Sequence, residues 1–398
     1  VEEAVRDILK KNVLGQLKNW LKLKLEQGGS LAIWKLPNSN EINVIVDNNI
    51  EKGSGRIHEF DLRKGFIFAP FNPDNHWYFL HSYTILRIKF KNGELEIIDG
   101  EPTDWPKYVE PSSERSNTKI EIPFHTGKEV NPKDTDADHF KEMVSKAVAS
   151  INNGVFEKVV PARKWSREID ATFDLLNLYT KTASKYPRAM VSLVSISSVG
   201  TWMGASPETL IQMDQNGIFR TVALAGTQAY QNQELLDVTW TQKEIEEQAF
   251  VSRYITNCFK KIRLREFDEI GPKSSFSGNL IHLKTEFKVD TVKTNFADLP
   301  QIMLELLHPT SAVCGMPKAP ALAFLNQYEG FDREFFSGYL GSIGVNNELH
   351  VFVNLRCLQV NEQTVTFYAG AGVTQDSNPE KEWLETKIKM ETLNNLLS

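Results

Sequence analysis

Cysteine is scarce in this chain. Cys258, Cys314 and Cys357 are its only three in 398 residues, far apart, odd in number and without metal-site spacing. Neither a zinc module nor a disulfide framework is expected, and a reducing cytoplasm is the expected compartment. Long apolar runs are also missing. No segment approaches the roughly 18 residues of a membrane span, and no secretory leader is expected ahead of the first helix. Nor is there a basic excess: 45 Lys and Arg stand against 51 Asp and Glu, a net charge of −6. That balance offers no electrostatic footprint for nucleic acid. Internal repeats and low-complexity tracts are absent too. What remains is ordinary globular material, 41% hydrophobic and 24% charged, in a chain long enough for a large core.

Hydrophobic periodicity sets the organisation. Val5, Ile8, Leu9, Val13, Leu17, Trp20 and Leu21 fall on one side of a helix over residues 4–25, read as a packed surface helix. Residues 31–100 read as short strands, with a hairpin about Asn92-Gly93. A proline-rich polar connection over 101–136 separates an N-terminal region, 1–136, from a C-terminal region, 137–398; both are expected to share one fold. Beyond it, a helix ends at Asn152-Asn153-Gly154, and strands follow in FEKVVPAR, in AMVSLVSI and around an Asn216-Gly217 hairpin. Helices are expected over 236–263 and 296–307, and a long antiparallel run over 337–369. Strands grouped in runs, without regular βαβ alternation, predict an α+β fold with large antiparallel sheets.

Chemistry concentrates near the C-terminus. Tyr368-Ala-Gly-Ala-Gly-Val-Thr reads as a strand entering a glycine-rich turn. Asp376, Ser377 or Asn378 would cap the following helix, with Pro379 in its first turn. On that helix Glu382, Glu385 and Lys389 share one face. Glu244 and Glu247 repeat the i, i+3 carboxylate spacing within Glu244-Ile-Glu-Glu-Gln248. Four carboxylates from two helices suit a hard cation such as Mg²⁺, which takes the rest of its shell from water and an anionic ligand.

Several blocks, in order, resemble the chorismate-utilising enzymes: isochorismate synthases, salicylate synthases, and component I of anthranilate and aminodeoxychorismate synthases. The blocks are Phe156-Glu-Lys-Val-Val-Pro-Ala-Arg163, Gly204-Ala-Ser-Pro-Glu208, Leu224-Ala-Gly-Thr227, the Glu244–Gln248 segment, Leu307-His-Pro-Thr310, Phe336-Ser-Gly-Tyr-Leu-Gly341, Asn354-Leu-Arg356 and the C-terminal turn and helix. The resemblance implies two facing antiparallel sheets with helices outside, chorismate as substrate and one Mg²⁺ as cofactor. It makes Glu247 and Glu385 metal ligands, with Glu244 and Glu382 supporting the metal or its waters. Arg356, Tyr339 and the backbone around Gly370, Ala371 and Gly372 would hold the enolpyruvyl carboxylate, and Lys389 would lie near the metal and ring carboxylate. Ala225, Gly226, Thr227 and His308 complete the implied substrate contacts.

Two positions separate the reactions within this resemblance. Lys158 matches the general base that activates water in isochorismate and salicylate synthases, where anthranilate synthases typically carry glutamine. Ala225 stands where aminodeoxychorismate synthases typically place a nucleophilic lysine. With Glu208 as general acid, the implied reaction is chorismate to isochorismate, an isomerisation that would feed menaquinone or a catecholate siderophore. Salicylate synthesis, by further loss of pyruvate, is the alternative; anthranilate synthesis and a catalytically silent metabolite binder rank lower. A water-using enzyme needs no glutaminase partner. The chain departs from the common pattern at Gln248, Ser311 and Cys314-Gly-Met-Pro-Lys318.

Overall fold

The structure is a computed structural model and describes residues 13–57, 60, 63–91, 94–106, 121–127, 133–170, 173–229, 234–277 and 280–397. The first half of the N-terminal helix, the Asn92-Gly93 turn and much of the proline-rich connection lie outside the described residues.

Two nine-stranded antiparallel sheets dominate. The first runs, in spatial order, Glu94–Asp99, Leu86–Lys91, Glu41–Asp47, Ser30–Lys35, Met190–Ile196, Gly200–Ser206, Cys357–Val360, Thr364–Gly370 and Ala162–Glu168. The second runs Asp268–Ser277, Leu280–Asp290, Ile218–Ala229, Thr209–Met213, Glu348–Val353, Tyr339–Val345, Gly65–Ala69, Trp77–His81 and Glu51–Gly53. Strands from residues 30–99 are thus hydrogen-bonded into both sheets beside strands from the C-terminal region.

The sheets face each other across an aromatic layer. Trp34 and Trp202 of the first sheet and Phe66 and Phe68 of the second meet there, with Phe335, Phe336 and Tyr368. Strands buried on both faces, such as Met190–Ile196, are apolar at most positions for that reason, with the small Ser192 and Ser195 buried among them. Helices cover the outer faces. Val13–Glu26, Leu175–Lys185 and the end of Pro379–Asn394 pack on the first sheet. Ala137–Asn152, Gln242–Lys261, Leu299–Leu307 and Lys318–Tyr328 pack on the second.

Two helix starts move relative to the sequence expectation. The helix expected over 236–263 begins at Gln242, because Thr241 and Glu244 form a reciprocal capping box and Leu235–Asp237 is a separate 3₁₀ turn. The helix expected from 296 begins at Leu299, with Pro300 in its first turn. Leu175–Lys185, Lys318–Tyr328 and the Asp268–Asp290 hairpin were not anticipated.

Candidate active site

A cavity of about 400 Å³ opens between the ends of the two sheets and the helices Gln242–Lys261 and Pro379–Asn394. Lys158, Glu208, Gly226, Glu244, Glu247, Arg356, Gly370, Gly372, Glu382, Glu385 and Lys389 all line it.

Each side chain arrives there for a local reason. Lys158 sits on a two-residue strand, Lys158–Val159, paired with Gly315–Met316. Its other edge is bridged by Val373, just past the glycine-rich turn. A Cβ on Gly372 would lie 3.3 Å from Lys158 Cε, so this glycine leaves the lysine its space. Glu208 occupies the link that leaves the first sheet at Ser206 and enters the second at Thr209. Ser206 donates its hydroxyl to Val353 O, and Val353 N donates to Glu208 O at 3.0 Å, so the crossing is tied at both ends.

Burial sets the protonation of this pair. Lys158 is pushed below its ordinary range by loss of water, helped by the nearby Lys389 charge and opposed by Glu247, Glu208 and Glu385. Glu208 is pushed up to about 7 by the same loss of water, against the pull of Lys158 and Lys389. One cavity therefore holds a lysine shifted down and a glutamate shifted up, the directions that acid–base chemistry requires.

The carboxylates come from two capped helices. Gln248, buried beside Glu247, donates to Ala223 O at 3.2 Å and to Thr285 Oγ1 at 2.9 Å, locking that helix on the second sheet. Glu244 is already engaged: its Oε2 accepts from Thr241 N at 2.8 Å and Thr241 Oγ1 at 2.9 Å. At the C-terminal helix, Asn378 accepts from Glu380 N and Lys381 N, and Pro379 follows it. Thr386 Oγ1 accepts from Arg163 Nε at 2.7 Å, and the Arg163 guanidinium lies 3.9 Å from the Trp383 ring centre. Glu382, on the same helix, is only 4% exposed. Lys389 bridges Glu385 at 2.6 Å and Gly370 O at 2.8 Å.

Arg356 enters on a left-handed residue, φ +48°, between the Glu348–Val353 and Cys357–Val360 strands. Burial lowers its pKa, opposed by Glu385 and Tyr186. Its Nη1 donates to Thr392 Oγ1 at 3.2 Å.

Three expected contacts fall elsewhere. Tyr339 and His308 line a different cavity, of about 210 Å³, on the outer face of the second sheet. Strand alternation explains Tyr339: it shares the helix-covered face with Ile343, while Leu340 points between the sheets. His308 ends the Leu299–Leu307 helix, and its Nε2 lies 3.0 Å from Pro70 O and 3.1 Å from Phe71 O. Burial drops its pKa to about 3, so it is a neutral, backbone-satisfied histidine. Ala371 is also committed, its N–H donating to Pro161 O at 3.0 Å, so it adds no donor for an anion. The side chains of Ala225 and Thr227 lie outside the described residues. The bulge between them is described, with Gly226 at φ +64° and its would-be Cβ 3.2 Å from Glu244 Cβ.

Phe336, His282 and Arg333 are among the cavity residues that the sequence pattern does not single out. Phe336, three residues before Tyr339, faces the cavity and stacks on Tyr368 with ring centres 5.5 Å apart. His282 lines it with Nδ1 3.0 Å from Gly226 O, its pKa dropped to about 4 chiefly by burial. Arg333 lines it as well. Strand alternation puts His282 on the face of Lys284, Glu286 and Lys288, so the local pattern does not mark it as lining a cavity.

Among the described residues no three Asp, Glu, His or Cys side chains already form a metal-holding group. The donors nonetheless suit Mg²⁺, which is typically held by one or two carboxylates, with water and substrate oxygens completing its shell.

Geometry and electrostatics define a class first: facing antiparallel sheets with one cavity that gathers a buried lysine, a buried glutamate, further carboxylates and an arginine. A family profile described as "Chorismate binding enzyme" matches residues 104–398, and the chain belongs to that family. It is 30% identical over 263 residues to the isochorismate synthase EntC of Escherichia coli K12, covering 65% of this chain and 66% of that protein. It is 30% identical over 271 residues to the isochorismate synthase DhbC of Bacillus subtilis, covering 64% of this chain and 66% of that protein. The chain thus spans just under two thirds of the length of these relatives. The fold matches that of MenF, the menaquinone-specific isochorismate synthase of Escherichia coli, with a TM-score of 0.70, 21% identity and coverage of 95% and 91%. Among the described residues no helix is long and apolar enough to cross a membrane.

Proposed function

We propose that the protein converts chorismate to isochorismate. The observation that carries this reading is the pairing of a buried lysine pushed down with a buried glutamate pushed up to about 7, both lining one cavity. Lys158, as the free amine, takes a proton from water as its oxygen bonds to C2 of the substrate ring. The ring double bonds shift, the C4–O bond breaks, and Glu208 gives its proton to the departing hydroxyl, which leaves as water. Atoms balance: one water enters, one leaves, and Lys158 and Glu208 end with the opposite protonation.

Arg356 supplies a planar guanidinium fork for a carboxylate of the substrate. Glu247 and Glu385 would hold Mg²⁺, flanked by Glu244 and Glu382. Once bound, the metal would offset the carboxylate charge that otherwise repels a dianionic substrate. Lys389, tied to Glu385 and Gly370, fixes the carboxylate helix against the glycine-rich turn.

Incubation with chorismate and Mg²⁺, with products separated by chromatography, tests the reading. Isochorismate alone supports it. Salicylate with equimolar pyruvate would instead make this a salicylate synthase, and anthranilate formed from ammonium would contradict the water-based chemistry.

A further inference from the structure

A buried ion pair beside the cavity has no part in the chemistry just described. Arg333 and Glu329 are 2% and 5% exposed. Arg333 Nε donates to Glu329 Oε2 at 2.8 Å, and its Nη2 contacts Glu329 Oε1. Burying two charges is costly unless every remaining donor and acceptor finds a partner. Here the partners are backbone groups flanking Lys158. Arg333 Nη2 donates to Val160 O at 2.6 Å and Nη1 to Val313 O at 2.8 Å. Glu329 Oε1 accepts from Ala162 N at 2.8 Å. The guanidinium rests 4.3 Å from the Phe71 ring centre.

These bonds meet a specific weakness. Lys158 stands on a strand only two residues long, whose ladder ends where Val160 N donates to Cys314 O at 2.9 Å. Pro161 follows and has no N–H to continue it. Beyond that point the carbonyls of Val160 and Val313 would lack ladder partners, and the Arg333 fork takes both. Glu329 holds the chain on the far side of Pro161 and fixes the fork itself.

We propose that Arg333 is a positioning residue for Lys158: by clamping Val160 O and Val313 O together, it holds the short strand so that the lysine amine stays at the reacting face of the cavity. This role rests on Lys158 being the general base. A lysine at position 333 would keep the charge beside Glu329 but lacks the planar fork that donates to two carbonyls in parallel.

The test is a double-mutant cycle in the full chain, following isochorismate formation at saturating Mg²⁺ together with the melting temperature. Arg333→Lys is expected to lower kcat about tenfold or more with the chorismate KM within about twofold, because a misplaced base slows chemistry rather than binding. In a Lys158→Ala background the same substitution is expected to change kcat by less than about twofold, since the group it positions is gone. Should Arg333→Lys fail to fold, Glu329→Gln carries the same cycle, as its amide oxygen still accepts from Ala162 N but no longer pairs the guanidinium charge. An equal fold-loss in both backgrounds, or a loss explained by a smaller folded fraction, would overturn the role. A wild-type protein that forms no isochorismate would overturn the functional reading and this role together. An active wild type with an additive cycle would overturn the role alone.

Discussion

The two cavities on either side of the second sheet bury titratable groups to opposite ends. On its outer face, His308 is buried, neutral and bonded to the carbonyls of Pro70 and Phe71. Between the sheet ends, Lys158 and Glu208 are buried against each other's charge, with pKa values drawn towards one another from opposite sides. Burial alone therefore does not mark a catalytic group. A satisfied histidine is stable and inert, whereas an amine and an acid held off their ordinary values in one cavity store the proton-transfer capacity a reaction can use.

The sharpest way to break this comparison is to substitute on both sides. Lys158→Ala and Glu208→Gln should each lower kcat by roughly 10²- to 10⁴-fold. Steady-state isochorismate formation measures this, and wild-type rates in either variant would dissolve the contrast. Glu385→Ala should likewise abolish Mg²⁺-dependent activity. An unchanged Mg²⁺ titration would remove Glu385 from the metal site.

Gly372→Ala places a methyl 3.3 Å from Lys158 Cε and should lower kcat roughly tenfold while leaving the melting temperature near that of wild type. An unaltered kcat would show that the lysine has room to spare.

The pH response sharpens the same point. Glu208 must carry its proton to act as acid, so turnover should fall as pH rises through about 7. The linked stability has the same sign. In the unfolded chain this carboxyl ionises near 4.5, so between 4.5 and about 7 a rising pH favours the unfolded chain. Glu208→Gln should remove that part of the decline in melting temperature; an identical pH slope in the variant would refute the raised pKa. The smallest effect on catalysis is expected across the sheet. His308→Gln should cost about 1–3 kcal/mol of stability by disturbing a buried bond yet leave kcat within about twofold. A large kcat loss at full folding would place His308 in the chemistry after all.

The fold class was legible because grouped strands with short turns and separate amphipathic helices leave few layer arrangements. The carboxylate corner was legible for a related reason: Glu382, Glu385 and Lys389 follow helical spacing, and Asn378-Pro379 announces the helix start. Phe336 and Tyr339 show where legibility ended. They lie three residues apart in one block, and only the point where the strand begins decides which faces the cavity. His282 and Arg333 were hidden differently, since His282 is placed by strand pairing and Arg333 by hydrogen bonds to backbone far away in the chain. The helix start at Gln242 shows local chemistry overriding pattern. Thr241 and Glu244 cap each other, and the apolar periodicity before them does not extend the helix.

The most direct test of the central claim is to run the reaction in ¹⁸O-enriched water and read the product mass. Water delivered to C2 by Lys158, with the C4 hydroxyl lost, predicts isochorismate carrying one ¹⁸O atom. Unlabelled isochorismate, or a product other than isochorismate, would contradict it.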